Sequence, residues 1–107
     1  MTALALGASE CVGQCPVVRR LAEARPRRPV LAIGEIVAAR TVRHGGAPAW
    51  RAEFSDGSGS VDLLFIGRTS VPGLGVGAHC TVEGTCLAEG GRLVVWNPRY
   101  ELLRRAP

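Results

Sequence analysis

The sequence predicts an all-β domain, a small barrel of five strands. Three observations predict it. β-Branched and alternating runs fill residues 30–97 with almost no helix-period stretch among them. Gly-rich or Asp-Gly turns punctuate those runs at short intervals. The chain has 107 residues, 47% of them hydrophobic and 21% charged, which suffices for one domain around one core.

The elements follow in order. Residues 1–15 show no clear period. PVVRRLAEA (16–24) reads as a short helix with Pro at its first turn and Val17, Leu21 and Ala24 on one face. ARPRRP (24–29) cannot continue a helix and reads as a linker. This divides the chain into a basic extension (1–29), the barrel domain (30–103) and a tail (104–107). VLAIGEIVAARTVR (30–43) is a long first strand, with Gly34 the natural place for a bend or bulge. HGGAP (44–48) is a loop, and residues 49–55 form strand two. Asp56-Gly57-Ser58-Gly59 is a hairpin turn, because Asp-Gly supplies the positive φ that such turns need. Strand three (60–66) alternates, with Val61, Leu63 and Phe65 on one face and Ser60, Asp62 and Leu64 on the other. GRTSVPGLGVGA (67–78) is the longest connection. Strand four (79–88) turns at Glu89-Gly90-Gly91 into strand five (92–97), which Pro98 ends.

A long, bent first strand and a dozen-residue connection between strands three and four match a five-stranded Greek-key OB barrel. An SH3-like barrel is the competing architecture, but it does not need so long a first strand.

The stretch over about residues 30–103 resembles nucleic-acid-binding OB-fold domains, in particular the small stand-alone OB-fold proteins of actinobacteria. More distantly it resembles the wedge OB domain of RecG-type branched-DNA helicases. The resemblance rests on the Gly34 strand, the Asp56-Gly57-Ser58-Gly59 turn, Gly77 and Gly84 around strand four, and the closing Asn97-Pro98-Arg99-Tyr100-Glu101-Leu102. It implies binding of single-stranded or branched DNA, with RNA also open, and no cofactor. ECVGQCPVVRR near the N-terminus departs from the pattern, and no G-x-x-x-x-G-K-[ST] motor motif occurs.

An OB barrel binds single strands on the outer face of strands two and three and on the loops joining strands one–two and four–five. That face carries Arg51, Glu53, Asp62, Leu64 and Ile66, with Arg68 nearby; Trp50, Ala52 and Phe54 point into the barrel. Two acids there oppose phosphate. Arg40, Arg43, Arg51, Arg68, Arg92 and Arg99 are candidate phosphate contacts, or solvated surface charges. His44 sits in a loop whose glycines allow close approach to a backbone. Trp50 and Trp96 each serve either the core or a stacking platform. Trp96 faces outward if Leu93 and Val95 face in. Tyr100 either stacks on a base or packs the tail onto the barrel.

The net charge is +4, and all 13 basic residues are Arg. Residues 1–29 carry five Arg against two acids, residues 30–98 five against six, and residues 99–107 three against one. The basic character therefore lies in the ends rather than in the barrel. Residues 1–9 lack the basic start of a secretory signal and no apolar run reaches about 20 residues, so a soluble, cytoplasmic protein is expected.

Four Cys are present. Cys80 and Cys86 lie roughly 20 Å apart along one strand, too far to share a metal, and act as small core hydrophobes. Cys11 and Cys15 would share a face of a helix, a weak zinc or redox signal. No nucleophile setting is recognisable, so no enzyme is expected. The expected function is non-catalytic nucleic-acid binding. The rival is a protein-interaction module that docks a partner on Leu64, Ile66 and the N-terminal segment.

Overall fold

The alternating runs form six strands in the computed structural model, which describes residues 17–103. They are β1 (Pro29–His44), β2 (Ala47–Ser55), β3 (Ser60–Ile66), β4 (His79–Glu89), β5 (Arg92–Trp96) and β6 (Arg99–Leu102). The sheet order is β1-β2-β3-β5-β4-β6, and β4 also pairs with the first half of β1. Five strands therefore close on themselves, and the all-β barrel expected from the sequence is present. β3 and β5 run parallel, Asp62 beside Val94 and Leu64 beside Trp96; the other pairings are antiparallel.

Turn chemistry sets the hairpins. Gly45-Gly46 joins β1 to β2 and Gly90-Gly91 joins β4 to β5, all four glycines at positive φ, as tight two-residue turns require. The loop expected at 44–48 is thus shorter than read, and both strands run to the turn. The bend in β1 also differs from expectation. The register shifts between Ile36 and Ala38, making Val37 the extra residue of a bulge. Gly34 serves a different need. Here β1 leaves β4 for β2, with Glu35 paired to both His79 and Ser55. A Cβ on Gly34 would collide with the Ser55 carbonyl oxygen.

The interior follows the alternation. Trp50, Ala52, Phe54, Val61, Leu63 and Phe65 are all buried, as their parity requires. Each of the larger ones contributes roughly 1.5–3 kcal/mol by leaving water. Cys80 and Cys86 lie with Val82 on the inner face of β4, fully buried. Burial pushes the Cys80 thiol up to about 11 and raises that of Cys86, so both remain protonated packing groups. Val71 and Leu74 of the long connection are buried in the same core.

Residues 17–28 are packed onto the barrel. Where a short helix was expected there is a three-residue 3-10 turn, Leu21–Glu23. Val18 pairs with Val30, and Leu21 and Ala24 enter the core. The Pro/Arg stretch is hydrogen-bonded rather than free: Arg27 N–H donates to Cys86 O, and Cys86 N–H donates to Arg28 O. Cys11 and Cys15 lie outside the described residues.

The β2–β3 turn holds this segment. Asp56 Oδ2 accepts from Leu21 N–H at 2.9 Å, and Asp56 Oδ1 accepts from the N–H groups of Ser58 and Gly59. Burial raises the Asp56 carboxyl pKa, but these bonds and the Ser58 hydroxyl outweigh it and hold the group below its ordinary 3.8. A depressed folded pKa means stability that is full above the ordinary value and fades as pH falls through the folded one. Asp56→Ala should therefore be destabilising from pH 7 to 5, with a gap to wild type that narrows below about pH 4. Urea unfolding across that range checks it; a gap independent of pH contradicts it.

Candidate nucleic-acid interface

The pairing registers fix one outer face strand by strand. β1 contributes Ala38, Arg40, Val42 and His44; β2 contributes Ala49, Arg51 and Glu53. β3 contributes Asp62, Leu64 and Ile66, and β5 contributes Arg92, Val94 and Trp96. One cross-strand row reads Arg40–Arg51–Leu64–Trp96.

The middle of this face is apolar and closed. Leu64, Ala49 and Val94 are fully buried, with Val42 and Ile66 packed against them. The curl of the β1–β2 hairpin produces that cover. It brings the His44 ring edge to face against Trp96 at 4.8 Å, although His44 and Trp96 stand at opposite ends of the four-strand row. Leu64 is therefore not the exposed outer-face residue that the sequence parity suggested, and Ile66 is half-buried. Leu64 thus offers no docking surface, and Ile66 only part of one.

Beside this floor lies a polar groove of about 280 Å³, lined by Ala38, Ala39, Arg40, Arg51, Ala52, Glu53, Asp62 and Arg92. Asp62 is its hub. Its Oδ2 accepts from Arg51 Nε at 2.8 Å, and its Oδ1 accepts from Arg92 Nη2 at 2.9 Å. The hydrogen bond to Asp62, then attraction to its charge, raises the Arg92 pKa above its ordinary value. So Asp62 does not stand as a free acid against phosphate. It is the counter-ion that orients two guanidiniums. With Arg40 and Glu53 included, the groove carries three positive and two negative side chains.

Trp96 marks the other end of the face. It is 39% exposed, while Val95 is buried in the barrel core and Leu93 packs against it, as the alternation anticipated. Its indole N–H donates to Glu89 Oε2 at 2.7 Å. Trp96 is thus held from both sides, by Glu89 before the β4–β5 turn and by His44 before the β1–β2 turn. Arg92 and Trp96 share one face of β5, about 13 Å apart.

The remaining sequence candidates are distributed differently. Arg43 lies in the hairpin and donates to Gly46 O at 2.7 Å. Arg68 is exposed on the connection after β3, and neither it nor Arg40 has an ionic partner among the described residues. Arg99 and Tyr100 are not brought to this face. They lie on β6, beyond β4; Arg99 faces Glu83 at 4.0 Å, and Tyr100 packs edge to face on Phe65 at 5.9 Å. Trp50 is buried 5.8 Å from Phe65 and belongs to the same interior aromatic group. Among the described residues no cluster of His, Cys, Asp and Glu is arranged to hold a metal, and no helix is long and apolar enough to cross a membrane.

Glu89 and Asn97 shape the site, although neither carries a functional signal in the sequence. Glu89 was legible only as the residue before a Gly-Gly turn. Asn97 precedes a proline, and its φ of 47° is a conformation asparagine tolerates well. The contrast between the two tryptophans gives a direct check. Acrylamide should quench Trp96 and spare Trp50, and Trp96→Phe should leave a blue-shifted, poorly quenched emission. Strong quenching in that variant contradicts the burial of Trp50.

No family model matches the chain, and no curated protein matches it. Solved structures do. The second OB-fold domain of replication protein A from Methanococcus maripaludis aligns with a TM-score of 0.64 at 13% identity, over 86% of this chain and 99% of that one. A chain from a replication protein A heterotrimer bound to ssDNA aligns with a TM-score of 0.55 at 12% identity, over 79% of this chain and 64% of that chain. At such identities the likeness is one of fold, and the chain has the OB fold.

Proposed function

We propose that this protein binds single-stranded DNA without catalysis, including the single-stranded arms of branched DNA. The observation that carries the reading is Trp96. A large aromatic ring is exposed on an otherwise buried apolar floor, fixed by Glu89 and His44, at the other end of the same face from an arginine-lined groove and about 13 Å along β5 from Arg92. A base stacks on such a ring whatever its identity, because every base has a π-face. Arg40, Arg51 and Arg92 then meet the phosphates of the flanking nucleotides. The likeness in fold to a chain from a heterotrimer described as bound to ssDNA supports the same reading. Arg43 and Arg68 extend the positive edge. Arg99 and Tyr100 remain candidates only for a strand that wraps past β4.

Fluorescence anisotropy with an oligonucleotide of about 20 nucleotides, longer than the roughly 4–16 that an OB fold covers, tests this. Wild type should bind, and the affinity should fall with salt by about 0.7 log units per log unit for each phosphate contact. Trp96→Ala should weaken binding about tenfold or more. Arg40→Ala should lower the salt slope by about one contact. Absence of binding at low salt overturns the proposal.

A further inference from the structure

We propose that β6 is a self-pairing edge through which two copies of this chain form an antiparallel, two-fold dimer. Among the described residues β6 stands last in the sheet and pairs only with β4. The phase of that pairing shows which groups are left over. Leu103 N–H donates to His79 O at 2.9 Å. Antiparallel ladders alternate, so Glu101 and Arg99 also turn their N–H and C=O groups toward β4. Tyr100 and Leu102 turn theirs away, toward an edge with no backbone partner among the described residues.

The side chains choose one register. Across a two-fold axis normal to the sheet, outward residues oppose outward residues. Arg99 and Glu101 point outward, because Tyr100 between them packs inward on Phe65. With Tyr100 opposite Tyr100 of the second copy, each Arg99 faces a Glu101, and the free groups of the two Tyr100 residues bond reciprocally. Sliding the pair by two residues in register sum sets Arg99 against Arg99 or Glu101 against Glu101, both repulsive. Pro98, which has no N–H, stands opposite Leu102 in the favoured register and opposite Tyr100 in the first slip, so the charges and not the proline select the register. Glu83 extends the favoured row, since it already faces Arg99 from β4. The outer face of the joined sheet then alternates Glu83, Arg99, and Glu101 of the second copy.

This rests on strand-edge geometry alone and requires no nucleic acid. Sedimentation velocity on the full chain from about 1 to 100 µM, without DNA, tests it. The mass should rise from 11.3 kDa toward twice that value. Glu101→Arg and Arg99→Glu should each weaken association about tenfold or more, by losing two pairs and gaining like-charge contacts. The double variant Arg99→Glu/Glu101→Arg should recover affinity relative to Arg99→Glu, because both pairs across the axis are merely reversed, while Glu83 faces a carboxylate at position 99 in both variants. Circular dichroism confirms that each variant is folded. A monomer throughout overturns the proposal. So does a dimer indifferent to the single inversions, or a double variant that fails to recover.

Discussion

The parallel contact between β3 and β5 is the constraint on which the rest of the structure depends. Without it the sheet stays open, and no face of β5 lies beside β3. Asn97 makes the contact hold. In its left-handed conformation it donates its N–H to Leu64 O at 2.7 Å, and its Oδ1 accepts from Ile66 N–H at 3.0 Å. One residue thereby satisfies both backbone groups at the end of β3 and turns the chain into β6. Pro98 is then buried beside Gly84, where any Cβ would collide with Val95.

Closure also builds the candidate site. Asp62 on β3 reaches Arg92 on β5 only because the two strands are neighbours, and Arg51 joins from β2. The same neighbourhood places Trp96 next to Leu64. The hairpin curl then adds His44 from the far edge of the face. Groups from five strands converge without any one segment containing the site. Ion pairing at Asp62 has a further consequence. It aligns Arg51 and Arg92 before any ligand arrives, so the phosphate contacts proposed for them carry a lower ordering cost.

What was legible in the sequence was mostly local. Alternation identified the inward residues of β2 and β3, and the parity of Cys80 with Val82 placed both cysteines in the core. Asp56-Gly57 marked its turn, and alternation with Val95 turned Trp96 outward. What was not legible depends on curvature and closure. Leu64 has the parity of an exposed residue but is covered once the hairpin folds over it. Asp62 looked like a free acid because its second partner, Arg92, is 30 positions away. Gly34 suggested a bulge, yet its role is to let Ser55 approach, and the bulge falls at Val37. The Pro/Arg stretch correctly excluded a helix, but composition alone could not show that it hydrogen-bonds to β4.

The most direct test of the account is residue-resolved mapping of where nucleic acid touches the protein. Backbone and indole 1H–15N spectra of the labelled chain would be recorded while unlabelled oligothymidine is added. The Trp96 indole resonance, His44 and the groove around Arg40, Arg51 and Arg92 should shift together and saturate together. Shifts confined to β4 and β6, with Trp96 unmoved, would contradict it.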